Sequence, residues 1–65
     1  MRRSTPQERA ALAEDRQDFE ADYRASRKRP GDFVEARMIG LSGLRLAELE
    51  RAGFAERLET AYRPK

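Results

Sequence analysis

Large apolar side chains are rare in the first half of this 65-residue chain and frequent in the second half. Leu12, Phe19 and Tyr23 are the only ones between residues 2 and 31, whereas eleven follow between residues 32 and 62. Burial of apolar surface is the dominant force in folding. We therefore expect residues 32–62 to form the core and the first half to rest on that core or on a partner. The eleven are Phe33, Val34, Met38, Ile39, Leu41, Leu44, Leu46, Leu49, Phe54, Leu58 and Tyr62.

The short chain also limits how stable a single domain can be. A domain of this size buries only about 60% of the surface that its unfolded chain exposes. The sequence contains no cysteine and no histidine, so a disulfide is excluded and a structural zinc site is not expected. We expect no cofactor and no metal, and we expect oligomerisation or docking on a partner to supply the missing stability.

Charge and hydropathy narrow the class of protein. The chain has 14 basic and 12 acidic residues, for a net charge of +2. Its excess of arginine and alanine is typical of a GC-rich genome and does not by itself indicate a nucleic-acid partner. The longest apolar run, residues 38–41, is far shorter than the roughly 20 residues that cross a bilayer. No charged start leads into an apolar segment, so we expect no membrane association and a cytoplasmic location.

Residues 5–8, Thr-Pro-Gln-Glu, form a capping-box pattern that predicts the start of a helix. Pro30 disfavours helical geometry at the residue before it, and Gly31 adds a turn signal. The sequence therefore predicts a flexible N terminus over residues 1–5 and a long charged helix over residues 6–29. At 1.5 Å per residue this helix would be about 36 Å long, which exceeds the core that it serves.

Two further capping patterns predict short helices in the apolar half. Asp32 with Glu35 three residues later predicts a helix over residues 33–39. Ser42 is placed to cap a third helix over residues 43–52.

The end of the third helix carries its own signal. Gly53 lies where a C-terminal glycine belongs, with Phe54 placed to contact Leu49 in a Schellman ending. Beyond it, apolar residues at i, i+4, i+7 and i+8 predict a last helix over residues 54–62.

The predicted fold class is therefore all-α in a single domain of residues 1–65. One charged helix, residues 6–29, is followed by an apolar helical core over residues 32–62. We expect this miniature bundle to be completed by oligomerisation or by a partner.

Few residue types in this chain support catalysis. There is no histidine for proton transfer near neutral pH and no cysteine nucleophile. The glycines form no phosphate-binding loop. Acid pairs such as Glu14 with Asp18 share a helix face and are best explained as solvated polar surface. The sequence predicts no enzyme, no catalytic or cofactor-binding residue and no metal site.

Charge along the predicted long helix is ordered. Residues 14–22 sum to −4 and residues 24–29 sum to +4. This order complements the helix dipole, which accounts for the position of each single charge. It does not account for the thin apolar stripe of this helix, which consists of Leu12, Phe19 and Tyr23. Phe19 and Tyr23 lie at the sign change and form an apolar spot that is typical of an interface. Two such helices could pair antiparallel, with the aromatic residues in the seam.

Our first hypothesis is a small non-enzymatic interaction protein that acts by protein–protein docking. It would work as a homodimer or as a subunit or inhibitor of a larger assembly, in the manner of a phage or plasmid accessory protein. The aromatic pair would anchor the contact, and charged residues would orient it. The predicted interface residues are Leu12, Asp15, Asp18, Phe19, Asp22 and Tyr23.

The alternative hypothesis is a small nucleic-acid-binding regulator. Bases at the end of the long helix fit contacts with a phosphate backbone, which read no sequence. Residues 33–52 also resemble a helix-turn-helix, with residues 43–52 as the recognition helix. Its outward residues would be Arg45, Glu48 and Arg51, and it has no asparagine or glutamine to read adenine. The predicted contacts are Arg24, Arg27, Lys28 and Arg29, joined by Arg2 and Arg3.

Overall fold

The structure is a computed structural model that describes residues 5–65. Most of the predicted flexible N terminus, with Arg2 and Arg3, lies outside these residues. Two α-helices and a three-stranded antiparallel sheet make up an α+β fold, with the third strand in the middle of the sheet. The elements are α1 (Pro6–Ser26), β1 (Val34–Glu35), a short 3-10 helix (Ala36–Met38), α2 (Gly43–Arg51), β2 (Ala55–Leu58) and β3 (Ala61–Pro64).

The prediction of an all-α bundle is wrong, chiefly because residues 54–62 form no helix. They belong to a hairpin in which Leu58 of β2 pairs with Ala61 of β3. Ala55 and Tyr62 are buried, whereas Leu58 is 57% exposed. Helical spacing would have put the apolar residues of this segment on one face. In the hairpin, the paired residues Leu58 and Ala61 lie on one face of the sheet and Tyr62 lies on the other, as strand geometry requires.

The predicted helix over residues 33–39 is also wrong. The Asp32 carboxylate accepts a hydrogen bond from the Arg29 amide at 2.9 Å, so it closes a turn and caps no helix. Val34 pairs with Tyr62 of β3, and the Glu35 carboxylate accepts a hydrogen bond from the Thr60 hydroxyl at 2.7 Å. Only the single 3-10 turn remains helical, so the resemblance to a helix-turn-helix lacks its first helix.

Local signals at the helix ends are confirmed. Thr5 and Glu8 form both hydrogen bonds of the capping box at the start of α1. The Ser42 hydroxyl accepts a hydrogen bond from the amide of Arg45 in α2.

The predicted Schellman ending of α2 is confirmed as well. The Phe54 amide donates to the Leu49 carbonyl at 2.9 Å, and the Gly53 amide donates to the Glu50 carbonyl. Gly53 has a φ of +87°, which a residue with a Cβ adopts only at a cost. α1 ends earlier than predicted, at Ser26, because Arg27 already has extended geometry and leads into the turn before β1.

Both helices lie on the inner face of the sheet, and the core lies between the two layers. Phe19 and Leu49 are fully buried, and Tyr23 is 4% exposed. The first half of the chain therefore contributes to the centre of the core. The core residues are Phe19, Tyr23, Val34, Ile39, Leu46, Leu49, Ala55 and Tyr62. Within residues 5–65, no helix has the length and apolar character needed to cross a membrane.

Candidate functional site

The aromatic pair that was predicted to anchor a partner lies inside the molecule. The ring centroids of Phe19 and Tyr23 are 6.4 Å apart, and both rings belong to the core of the same chain. They are covered by the sheet and by α2, so they form no apolar spot on the surface. Leu12, two helical turns before Phe19, is only partly buried and packs against the core.

Two of the three predicted interface aspartates bind residues of their own chain. Asp15 is 8% exposed and lies 3.7 Å from the guanidinium of Arg45 in α2. The Asp22 carboxylate accepts a hydrogen bond from the Gly40 amide at 2.8 Å. Asp18 is exposed and has no polar partner within the described residues. The acidic flank of α1 therefore joins α1 to α2 and to the segment that precedes it.

Charge on α1 is separated around the helix as well as along it. At about 3.6 residues per turn, Asp15, Asp18 and Asp22 fall on the flank that faces α2. Arg16 and Arg24 fall on the opposite flank, which faces the start of the hairpin and the C terminus. Asp15 and Asp22 thus bind α2 and the segment before it, whereas the arginines, together with Glu20, line a groove.

We call this groove, on the hairpin side of α1, the arginine groove. Its first part has a volume of about 430 Å³, and its second part has a volume of about 360 Å³. Glu20 lines both parts, which are therefore adjacent. The first part is lined by Arg9, Leu12, Ala13, Arg16, Gln17, Glu20 and Phe54. The second part is lined by Glu20, Tyr23, Arg24, Arg27, Gly31 and Pro64.

The first part of the groove has an apolar floor and a charged rim. Leu12, Ala13 and Phe54 supply the apolar surface. The guanidinium of Arg16 lies over the Phe54 ring, 4.5 Å from its centroid. Phe54 is held there by the end of α2 and by the Lys65 amide, which donates to the Phe54 carbonyl.

Four arginines and one glutamate give the groove a formal charge of +3. The Glu20 carboxylate lies between two of them, 3.1 Å from Nε of Arg16 and 3.6 Å from a terminal nitrogen of Arg24. Farther along, the guanidinium of Arg27 lies 5.7 Å from the centroid of the Tyr23 ring. The arrangement suits a ligand that is negatively charged and carries some apolar surface.

The predicted nucleic-acid contacts are divided between two places. Arg24 and Arg27 line the groove, whereas Lys28 and Arg29 are exposed in the turn that follows α1. On α2, the guanidinium of Arg45 lies 3.7 Å from the Asp15 carboxylate of α1. The structure therefore brings together part of the basic cluster without forming a recognition helix.

Sequence reasoning missed Arg9, Arg16, Glu20 and Phe54 as site residues. Counted along α1, the four arginines of the groove lie at i, i+7, i+15 and i+18, which places them on one flank of a helix. That spacing was a detectable signal. The role of Phe54 was not detectable, because it depends on how the end of α2 packs on α1.

The described part of the chain shows no clustered acids or other ligands that could hold a metal ion. Comparison of the chain with protein-family models, with curated proteins and with solved structures finds no match.

Proposed function

We propose that this protein is a non-enzymatic interaction protein that binds an acidic segment of another protein in the arginine groove. The observation that carries the proposal is the combination of an apolar floor, Leu12 with Phe54, and four arginines along the same groove. The function is still docking, as the sequence indicated. The surface that performs it is different, because the aromatic pair is buried.

Charge complementarity supports an acidic partner. The groove carries a formal charge of +3, while Asp15 and Asp22 are directed to the other side of α1 and bind groups of their own chain. Complementary charge raises the rate of association and fixes the orientation of the partner more than it raises affinity. The cytoplasm is the compartment in which we place this function, since a chain without cysteine needs no oxidising environment.

The apolar floor supports a protein partner over a nucleic acid. A phosphate backbone is recognised by basic and polar groups, and it has no apolar side chain to bury. The floor of the first part of the groove offers Leu12, Ala13 and the ring of Phe54. A Phe or Leu of an acidic segment would bury this surface while its carboxylates pair with the arginines at the rim.

The experiment is an NMR titration of ¹⁵N-labelled protein with three probes. The first is a glutamate-rich peptide with one phenylalanine, the second is the same peptide with alanine in that place, and the third is a single-stranded oligonucleotide of equal charge. We expect the first probe to bind most tightly and to shift amides along residues 9–27 and at Phe54. Binding of the oligonucleotide in preference to both peptides would replace the proposal with the nucleic-acid hypothesis, and no binding of any probe would overturn both.

Matched charge reversals locate the site. Arg24→Glu lies in the groove, whereas Arg37→Glu changes an exposed arginine of the 3-10 helix outside it. We expect the first variant to weaken binding of the phenylalanine peptide by about tenfold or more and the second to change it by less than about threefold. Equal losses in the two variants would show that only net charge matters and would contradict a defined site.

A further inference from the structure

Among residues 5–65, three arginines lie over aromatic rings, and their hydrogen bonds distinguish them. Arg63 lies 4.4 Å from the centroid of the Phe33 ring, and both of its terminal nitrogens are occupied. One donates to the Gly31 carbonyl at 3.0 Å, and the other donates to the Glu56 carboxylate at 2.8 Å. Arg63 therefore connects β3 to its neighbours and has no free donor pair to offer a ligand.

Arg16 has the same kind of ring contact but different hydrogen bonds. Its guanidinium is 4.5 Å from the centroid of the Phe54 ring, and its Nε donates to Glu20 at 3.1 Å. Among residues 5–65, nothing accepts a hydrogen bond from its two terminal nitrogens. The side chain is 47% exposed in the groove. The Arg16 guanidinium is thus held by Phe54 and Glu20, while its two terminal nitrogens remain available to a ligand.

We infer that Arg16 is the anchor of the arginine groove and binds one carboxylate of the acidic segment through both terminal nitrogens. This inference rests on the proposed function and names the residue that recognises the partner. A guanidinium presents two parallel N–H groups that match the two oxygens of a carboxylate. Because Phe54 and Glu20 already hold the group in place, little side-chain freedom is lost on binding.

Glu20 has a second effect in the same site. Its carboxylate lies between Arg16 and Arg24 and lowers the positive charge where the partner binds. Glu20 therefore orients Arg16 and at the same time limits the affinity of the groove for an acidic segment. Removal of its charge alone raises the formal charge of the groove from +3 to +4.

The test measures binding of the glutamate-rich phenylalanine peptide to four proteins by fluorescence anisotropy at several salt concentrations. They are the wild type, Arg16→Lys, Glu20→Gln and Arg51→Lys, an exposed arginine of α2 outside the groove. Lysine keeps the charge but loses the planar pair of donors and the contact with the ring. We expect Arg16→Lys to weaken binding by about tenfold and Arg51→Lys to leave it unchanged within about twofold. Glu20→Gln should strengthen binding by about threefold at low salt, and salt should reduce this gain.

The outcomes separate this inference from the proposed function. If the wild type fails to bind the peptide, the proposed function fails and the inference fails with it. If the wild type binds and Arg16→Lys binds equally well, the groove stands as the docking site but Arg16 is not its anchor. Weaker binding by Glu20→Gln would show that orientation of Arg16 outweighs the added charge, and it would overturn the claim that Glu20 limits affinity. The Nε–Hε resonance of Arg16, followed in the same titration, reports directly whether that group meets the peptide.

Discussion

Asp22 and Gly40 show how a single close approach fixes a residue type. The Gly40 amide donates to the Asp22 carboxylate at 2.8 Å, which joins α1 to the segment before α2. A Cβ at position 40 would lie 2.9 Å from the same carboxylate oxygen. The φ of Gly40 is not positive, so left-handed geometry is not the reason for a glycine here. Any larger residue here would therefore displace the Asp22 carboxylate from its hydrogen bond.

The contact between Asp22 and Gly40 predicts that the effect of Gly40→Ala on the free energy of unfolding depends on whether Asp22 is present. Gly40→Ala alone should destabilise the protein by about 1 kcal/mol, because the new methyl group displaces the carboxylate and breaks the hydrogen bond. In an Asp22→Ala background no carboxylate lies close to position 40. Alanine then acts mainly on the unfolded chain, whose conformational entropy it lowers relative to glycine. There Gly40→Ala should be neutral or stabilising by up to about 1 kcal/mol. Urea unfolding followed by circular dichroism measures all four proteins, and additive effects would contradict the account.

Among the elements of the fold, the β2–β3 hairpin contains a turn that the local sequence does not predict. The two-residue loop between β2 and β3 is Glu59-Thr60, and Glu59 has a φ of +57°. Residues other than glycine and asparagine adopt this region at a cost of about 1–2 kcal/mol. Favoured turns of this length carry Asn-Gly or Asp-Gly. Because this loop has neither pair, the sequence predicts a helix over residues 54–62 and not a hairpin. Pairing of β3 with β2 and β1, together with packing of β2 on α2, overrides the local preference.

Strain at this turn predicts a stabilising substitution. Glu59→Gly should raise the free energy of unfolding by about 1 kcal/mol, because glycine adopts the left-handed region without a steric penalty. Glu59→Ala removes the same carboxylate but keeps a Cβ, so it serves as the matched control and should not stabilise. The hydrogen bond from Arg57 reaches the Glu59 backbone carbonyl and is kept in both variants. Equal changes in the two proteins would show that side-chain charge, not backbone strain, is responsible.

At the scale of the whole molecule, the thin apolar stripe of α1 is sufficient because α2 and the sheet both cover it. Phe19 is fully buried although its helix carries only two other large apolar side chains, Leu12 and Tyr23. The expectation that the core must be completed by a partner therefore lost its main support. The large apolar residues that remain exposed are elsewhere among the described residues, at Leu44 (72%), Met38 (58%) and Leu58 (57%).

We therefore expect the protein to sediment with the mass of one chain at micromolar concentration. Phe19→Ala should lower the free energy of unfolding by about 3–5 kcal/mol, which approaches the total stability of so small a domain, and circular dichroism should show the loss of helix. Leu44→Asp changes an exposed residue and should leave both mass and helix content unchanged. A wild-type dimer that Leu44→Asp converts to a monomer would place an interface on this exposed residue and contradict the expectation.

Part of the candidate site was accessible from the sequence. Leu12, Arg24 and Arg27 were selected as contact residues, and all three line the arginine groove. They were selected for other reasons, however: Leu12 as part of an interface around an exposed aromatic pair, and the two arginines as contacts with a phosphate backbone. Phe54 was missed because its contact with Arg16 joins residues 38 positions apart in the chain.

Three local features can be predicted from the amino acids alone: the capping box at Thr5, the capped start of α2 at Ser42 and the glycine ending at Gly53. Each depends on hydrogen bonds between residues a few positions apart, so composition and spacing are enough. The strands within residues 54–62, the burial of Phe19 and the groove lined by the arginines of α1 depend instead on contacts between distant parts of the chain. Strand pairing between Val34 and Tyr62 joins distant segments, and its free energy depends on which surfaces meet in the folded chain and not on the local sequence.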